Sequence, residues 1–188
     1  MKARQKSKNT NTDIRFILLR VARVHYLYLL AYIVSLIIFD SANLITHEAI
    51  IDRFTAVGSL LVVNTIIWYL CKAKVRSKLF YQVLFVALIL SDIAFASANV
   101  YWQRGMASKA VALFAVPIIS AGLYKSRSLV LATAGLSSVV YGLSTIRYFF
   151  DNYGQGYRVE LYGELFFYCS FFFVLAFMMM INFRKSSE

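Results

Sequence analysis

Apolar residues fall into six long runs along the chain, separated by short polar or charged connections. A spanning helix needs about 20 mostly apolar residues to cross roughly 30 Å of hydrocarbon. On that measure the runs predict helices at approximately 15–39, 54–71, 79–102, 108–124, 128–150 and 159–183. Residues 1–14 read as a basic tail and 186–188 as a short end. The first run is charged at its base and becomes uncharged only from Val24, so Ile14 to Tyr26 reads as an interfacial start. There Arg20 and Arg23 share a face and snorkel while Phe16, Leu18 and Leu19 enter lipid. The expected class is an all-α polytopic membrane protein with six transmembrane helices.

Composition agrees with lipid as the solvent. Of the 188 residues, 60% are hydrophobic and 15% charged, whereas roughly half of a soluble domain is apolar. One proline and eight glycines leave little material for irregular loops, so a single membrane domain is expected. The first run is one of several similar ones, unlike a cleaved signal segment, which stands alone.

Charge sets the orientation. Fifteen of the twenty lysines and arginines fall on one side: seven between Lys2 and Arg23, then Lys72, Lys74, Arg76, Lys78, Lys125, Arg127, Arg184 and Lys185. Positive flanks are retained in the cytoplasm, so both termini are expected inside the cell membrane. Asp40, Glu48, Asp52, Asp151 and Glu160 fall in or beside the outer connections. The net charge of +11 therefore belongs to the cytoplasmic edge, where it fits anionic lipid rather than nucleic acid. Among the outer connections, 103–107 is a tight turn, and 151–158 contains Gly154 and Gly156 for bending.

Ionisable and polar residues inside a bilayer are costly and mark candidate sites. Asp92 stands nine residues before Tyr101, roughly 13 Å below the outer end of the third helix. Asn64 and Tyr141 fall near the same depth, which predicts a polar layer, and Asn99 should share the helical face of Asp92. Glu164 and Arg147 stand near the outer ends of their helices and form a candidate pair. Asp92 has two readings, a register-fixing buried polar group or a sensing group; for Asn64 and the Glu164–Arg147 pair, packing is the simpler one. Ala134, Ser138 and Gly142, and likewise Ala94 and Ala98, recur every fourth residue, a spacing that permits close helix packing. Pro117 removes one intrahelical bond and is the candidate hinge of the fourth helix, with Ser120 as a candidate partner for the freed carbonyl.

Catalytic chemistry is not expected. The two histidines lack metal-ligand companions, the two cysteines suggest neither disulfide nor metal, and no phosphate loop or nucleophile turn occurs. His47-Glu48 begins like a phosphoacceptor box, but Ala49, Ile50 and Ile51 follow it in an outer connection. No metal or cofactor is anticipated.

From Ser91 onward the order of features becomes specific: Asp92, the turn Tyr101-Trp102-Gln103-Arg104-Gly105-Met106-Ala107-Ser108, then Pro117-Ile118-Ile119-Ser120-Ala121-Gly122-Leu123 and the run from Ser126 to Tyr141. This resembles the six-helix membrane sensor of bacterial histidine kinases of the type IV pilus two-component kind. In that family the outer turn commonly carries two glycines and a serine-proline pair; here only Gly105 and Ser108 match. The resemblance implies a non-enzymatic sensor that relays a membrane or small-molecule signal to a cytoplasmic kinase or regulator, with a homodimer as its expected form. Family members continue into a dimerising helix pair and an ATP-binding domain, whereas this sequence ends at Arg184-Lys185-Ser186-Ser187-Glu188. It therefore reads as a sensor module, cut out or stand-alone. Two other classes share the layout: the substrate-binding component of an energy-coupling-factor importer, and a structural membrane scaffold.

Overall fold

The computed structural model describes residues 2–42, 44–73, 77–103, 105, 108–153 and 159–185; for 2–13, 153, 159–161 and 184–185 it describes the backbone only. The described residues are helical, without a strand. The helices are α1 (Lys2–Ser41), α2 (His47–Lys72), α3 (Lys78–Trp102), α4 (Ala115–Leu123), α5 (Arg127–Tyr153) and α6 (Val159–Lys185), with a 3-10 segment, Lys109–Phe114, leading into α4. All but α4 contain stretches long and apolar enough to cross a membrane: Ile14–Ser41, His47–Lys72, Lys78–Trp102, Arg127–Asn152 and Tyr162–Phe183. The chain is a multi-pass membrane protein, and its described residues hold five such helices and one shorter apolar one.

Two helices start earlier than the hydropathy runs predict. Residues Lys2–Asp13, read as a tail, continue α1. Helix α2 begins at His47 instead of Phe54, because the Thr46 hydroxyl caps the amide of Ala49 at 3.4 Å and Glu48 places a negative charge in the first turn. Both features stabilise a helix start. The bend expected from Gly154 and Gly156, the short end 186–188, and Arg104, Met106 and Ala107 of the turn lie outside the described residues.

The chain forms two compact units, Met1–Ser91 and Asp92–Glu188, and α3 contributes to both. In the first, α1 and α2 pair antiparallel. Arg15 donates from Nε to the Cys71 carbonyl at 2.8 Å and from Nη2 to the Lys72 carbonyl at 3.4 Å. Further along, Asn64 donates to the carbonyl of Ala22 at 3.0 Å, and the Tyr26 hydroxyl donates to Thr65 at 3.0 Å. A cation at the carbonyl end of α2 satisfies groups that a helix leaves unpaired and complements its dipole. The buried positions of α2 are Ile50, Arg53, Val57, Leu60, Asn64, Ile67 and Cys71. They alternate in steps of three and four residues, the spacing of one continuous seam.

In the second unit α3 and α5 run parallel. Ser97 meets Ser144 at 2.7 Å, and one turn on, Tyr101 packs edge-to-face on Tyr148, with ring centroids 6.1 Å apart. Helices α4 and α6 are also parallel, since Phe114 stacks on Phe172 and Gly122 lies against Met179. A parallel α3 and α5 require the intervening chain to return from one end of the unit to the other.

That return is made by the segment expected as a single fourth span. It is divided, six residues of 3-10 helix followed by nine of α-helix. Pro117 supplies the cause, having no N–H to offer the carbonyl of Leu113. A continuous α-helix through that point would leave a bond unmade, and the chain winds as 3-10 helix up to Phe114. Pro117 itself is the third residue of α4, within the first turn, where helix amides have no intrahelical acceptor. It marks a change of helix type rather than the mid-helix kink expected of it. The 3-10 rise of about 2.0 Å per residue stretches Lys109–Leu123 to roughly 25 Å. Lys125 closes α4 in the left-handed region at φ 57°, its amide bonded to the Gly122 carbonyl at 3.0 Å.

Candidate functional site

Helix α5 carries a buried polar stripe. Ser137, Tyr141 and Thr145 follow one another at four-residue spacing, a repeat that keeps side chains on one helical face. All three are buried, Ser137, Tyr141 and Thr145 each being 0% exposed. Tyr141 and Thr145 interact one turn apart, yet none of the three hydroxyls makes a hydrogen bond of ordinary geometry. Buried hydroxyls without partners are uncommon, because desolvation is not repaid.

Aromatic rings surround the middle of this stripe. Tyr141 meets Phe114, Tyr168 and Phe172 with ring centroids 6.1, 5.6 and 6.0 Å away, all edge-to-face. Phe172 also tilts against Phe114 at 5.5 Å. The cluster joins the 3-10 segment, α5 and α6. Cys169, one turn before Phe172 on α6, lies with its thiol 3.9 Å from the Ser138 carbonyl. Tyr141 was expected as a site residue from its depth; Ser137 and Thr145 were not singled out, although their four-residue spacing from Tyr141 was visible in the sequence.

Asp92 and Asn99 are both buried on α3, at 3% and 0% exposure. The Asn99 amide donates to the Phe95 carbonyl at 2.9 Å. Asn64 belongs to the first unit, where it is 0% exposed and bonded to Ala22. It ties α2 to α1 across their seam.

The pairing expected between Arg147 and Glu164 does not form. Arg147 lies 3.6 Å from Asp151, one turn further along its own helix, and Glu164 is exposed on α6. A charge partner four residues away on one helix needs no rearrangement of the bundle. Asp151 also accepts a 2.8 Å hydrogen bond from the Tyr101 hydroxyl. The same end of the unit holds Gly105, at φ 61°, where a Cβ would come within 3.1 Å of the Tyr148 ring. Ser108 caps the 3-10 segment through the amide of Ala110 at 3.0 Å and donates to Gln103 at 3.3 Å.

The small-residue stripes divide. Ala134 is buried and the Ser138 carbonyl receives the Cys169 thiol, but the space beside Gly142 is open and Ala94 is exposed. Gly142 and Ala94 therefore meet no neighbouring helix closely among the described residues, and Ala98 is half-buried. Gly122 marks a close approach of α4 and α6: a Cβ there would collide with Met179, whose own Cβ stands 3.1 Å away.

Two further ionisable residues are buried in the first unit. His25 is 2% exposed on α1, with Nδ1 2.9 Å from the Val21 carbonyl. Arg53 is 8% exposed on the seam of α2. Among the described residues no three metal-ligating side chains cluster. Compared with known protein families, with curated proteins and with solved structures, the chain matches none.

Proposed function

We propose that this chain is a non-catalytic sensor and signal-transduction module of the cell membrane. In this reading it crosses the bilayer six times, keeps both termini in the cytoplasm, and relays a membrane or small-molecule signal to a cytoplasmic kinase or regulator. The parallel pairing of α3 with α5 supports six crossings, because the divided segment Lys109–Leu123 then has to pass between opposite ends of the unit, and its 3-10 portion gives it the needed length. The basic residues at Lys72–Lys78, Lys125–Arg127 and Arg184–Lys185 support cytoplasmic placement of those connections and contact with anionic lipid there.

The observation that carries the sensor reading is the packing of α6. Helix α6 packs on α4 and α5, yet between Tyr162 and Phe183 only Phe172 and Ala176 are buried, so most of its surface is left to the lipid. Phe172 is nevertheless set in the aromatic cluster around Tyr141, and Ser137, one turn before Tyr141 on α5, has a buried hydroxyl without a partner among the described residues. A change in the hydration or occupancy of the polar stripe alters the packing of Phe172 and shifts α6, whose far end at Lys185 faces the output partner. Asp92, an intramembrane carboxylate buried in the same unit, is the second sensing group.

The test is a fusion of this chain to a histidine kinase core. Asp92→Asn is expected to change basal or stimulated output by about fivefold, a coupling of roughly 1 kcal/mol. Unchanged output would remove Asp92 from the mechanism. The helix-type change at Phe114 favours a second reading, the substrate-binding component of a small importer, since transport sites are often built at discontinuous helices. A small molecule retained through purification would support that alternative.

A further inference from the structure

Helix α2 presents a seam of seven buried residues, and five of them are apolar. Of the two that are not, Asn64 has an acceptor in Ala22. Arg53 has none. Its Nε is fully covered and makes no hydrogen bond, and the residue as a whole is 8% exposed. The positions one helical turn away are Ala49, Ile50, Ala56 and Val57, none of them acidic. Glu48 and Asp52, the nearest carboxylates in sequence, are exposed. A guanidinium stays charged at all physiological pH values, and a covered guanidinium nitrogen without a partner is costly for a fold to hold.

The missing charge has a natural direction of approach. Helical side chains lean toward the helix N-terminus, so Arg53 reaches toward the His47 end of α2. First-turn amides and the positive end of the helix dipole also favour an anion at that end. Arginine's planar fork matches the oxygen spacing of phosphate.

We propose that Arg53 is the receptor for a phosphate-type oxyanion entering at the His47 end of α2, supplied either by a phospholipid headgroup or by a phosphate-bearing solute. The site lies in the first unit and does not depend on the sensor reading.

Thermal unfolding of the full-length protein in phosphatidylcholine nanodiscs tests it, with phosphatidylglycerol added in one arm and inorganic phosphate in the other. Stabilisation of the wild type by phosphatidylglycerol, absent in Arg53→Met, assigns the site to a lipid headgroup. Stabilisation by inorganic phosphate, absent in the same variant, assigns it to a solute. Should Arg53→Met fail to fold, Arg53→Lys carries the comparison, since it keeps the charge and loses the fork; at least fivefold weaker binding is expected. No stabilisation of the wild type by either probe, or equal stabilisation of the wild type and a folded variant, would overturn the proposal.

Discussion

Ser97 and Ser144 bring their hydroxyls to 2.7 Å of each other, and the contact between Tyr101 and Tyr148 one turn on keeps the same direction along both helices. Two consecutive contacts that advance together make α3 and α5 parallel. Everything between Trp102 and Arg127 must therefore travel the length of α5 in reverse, with only a short helix to do so.

The first prediction concerns that passage. With Cys71 and Cys169 replaced by serine, single cysteines at the exposed positions Lys109 and Lys125 should label from opposite sides of the membrane, Lys109→Cys from outside and Lys125→Cys from the cytoplasm. Labelling of both from one side would make Lys109–Leu123 a re-entrant segment.

Gly122 and Met179 provide a packing test. A methyl group at residue 122 runs into the Met179 side chain, and overpacking of this kind costs about 1–3 kcal/mol. Gly122→Ala should lower stability in a denaturing-detergent titration, and Met179→Ala in the same chain should restore part of the loss. Additive losses in the double variant would mean that the two residues do not meet.

The polar stripe of α5 gives a prediction of unusual sign. Removing a buried hydroxyl that has no partner is neutral or stabilising, whereas removing a bonded one costs about 1 kcal/mol. Ser137→Ala should therefore leave the isolated protein as stable as the wild type or more so. A loss of about 1 kcal/mol would show that this hydroxyl is satisfied, and the stripe would then be structural.

The long helices were legible because lipid imposes a length and an apolar composition that few other environments require. Their starts were less so. Hydropathy alone misses a helix that continues through polar residues, as α1 does before Ile14, and it misses Thr46, whose capping role depends on a single hydroxyl. Four-residue spacing groups small residues but does not say which of them meet a neighbour: Ala134 is buried, Gly142 stands beside open space and Ala94 is exposed. Arg147 pairs with Asp151 at i+4, a local partner on its own helix rather than one across the bundle. Arg53 was counted for its charge alone; its place in the alternating three-and-four spacing of Ile50, Val57 and Leu60 was the signal that it faces inward.

The most direct test of the signalling account compares two phenylalanines of α6 in the kinase fusion. Phe172 is buried in the aromatic cluster, and Phe166 is 77% exposed. Phe172→Ala should change kinase output by about fivefold, equivalent to roughly 1 kcal/mol of population shift, while Phe166→Ala leaves it within about twofold of the wild type. Equal effects of the two substitutions, or none from Phe172→Ala in a folded protein, would contradict the relay through α6.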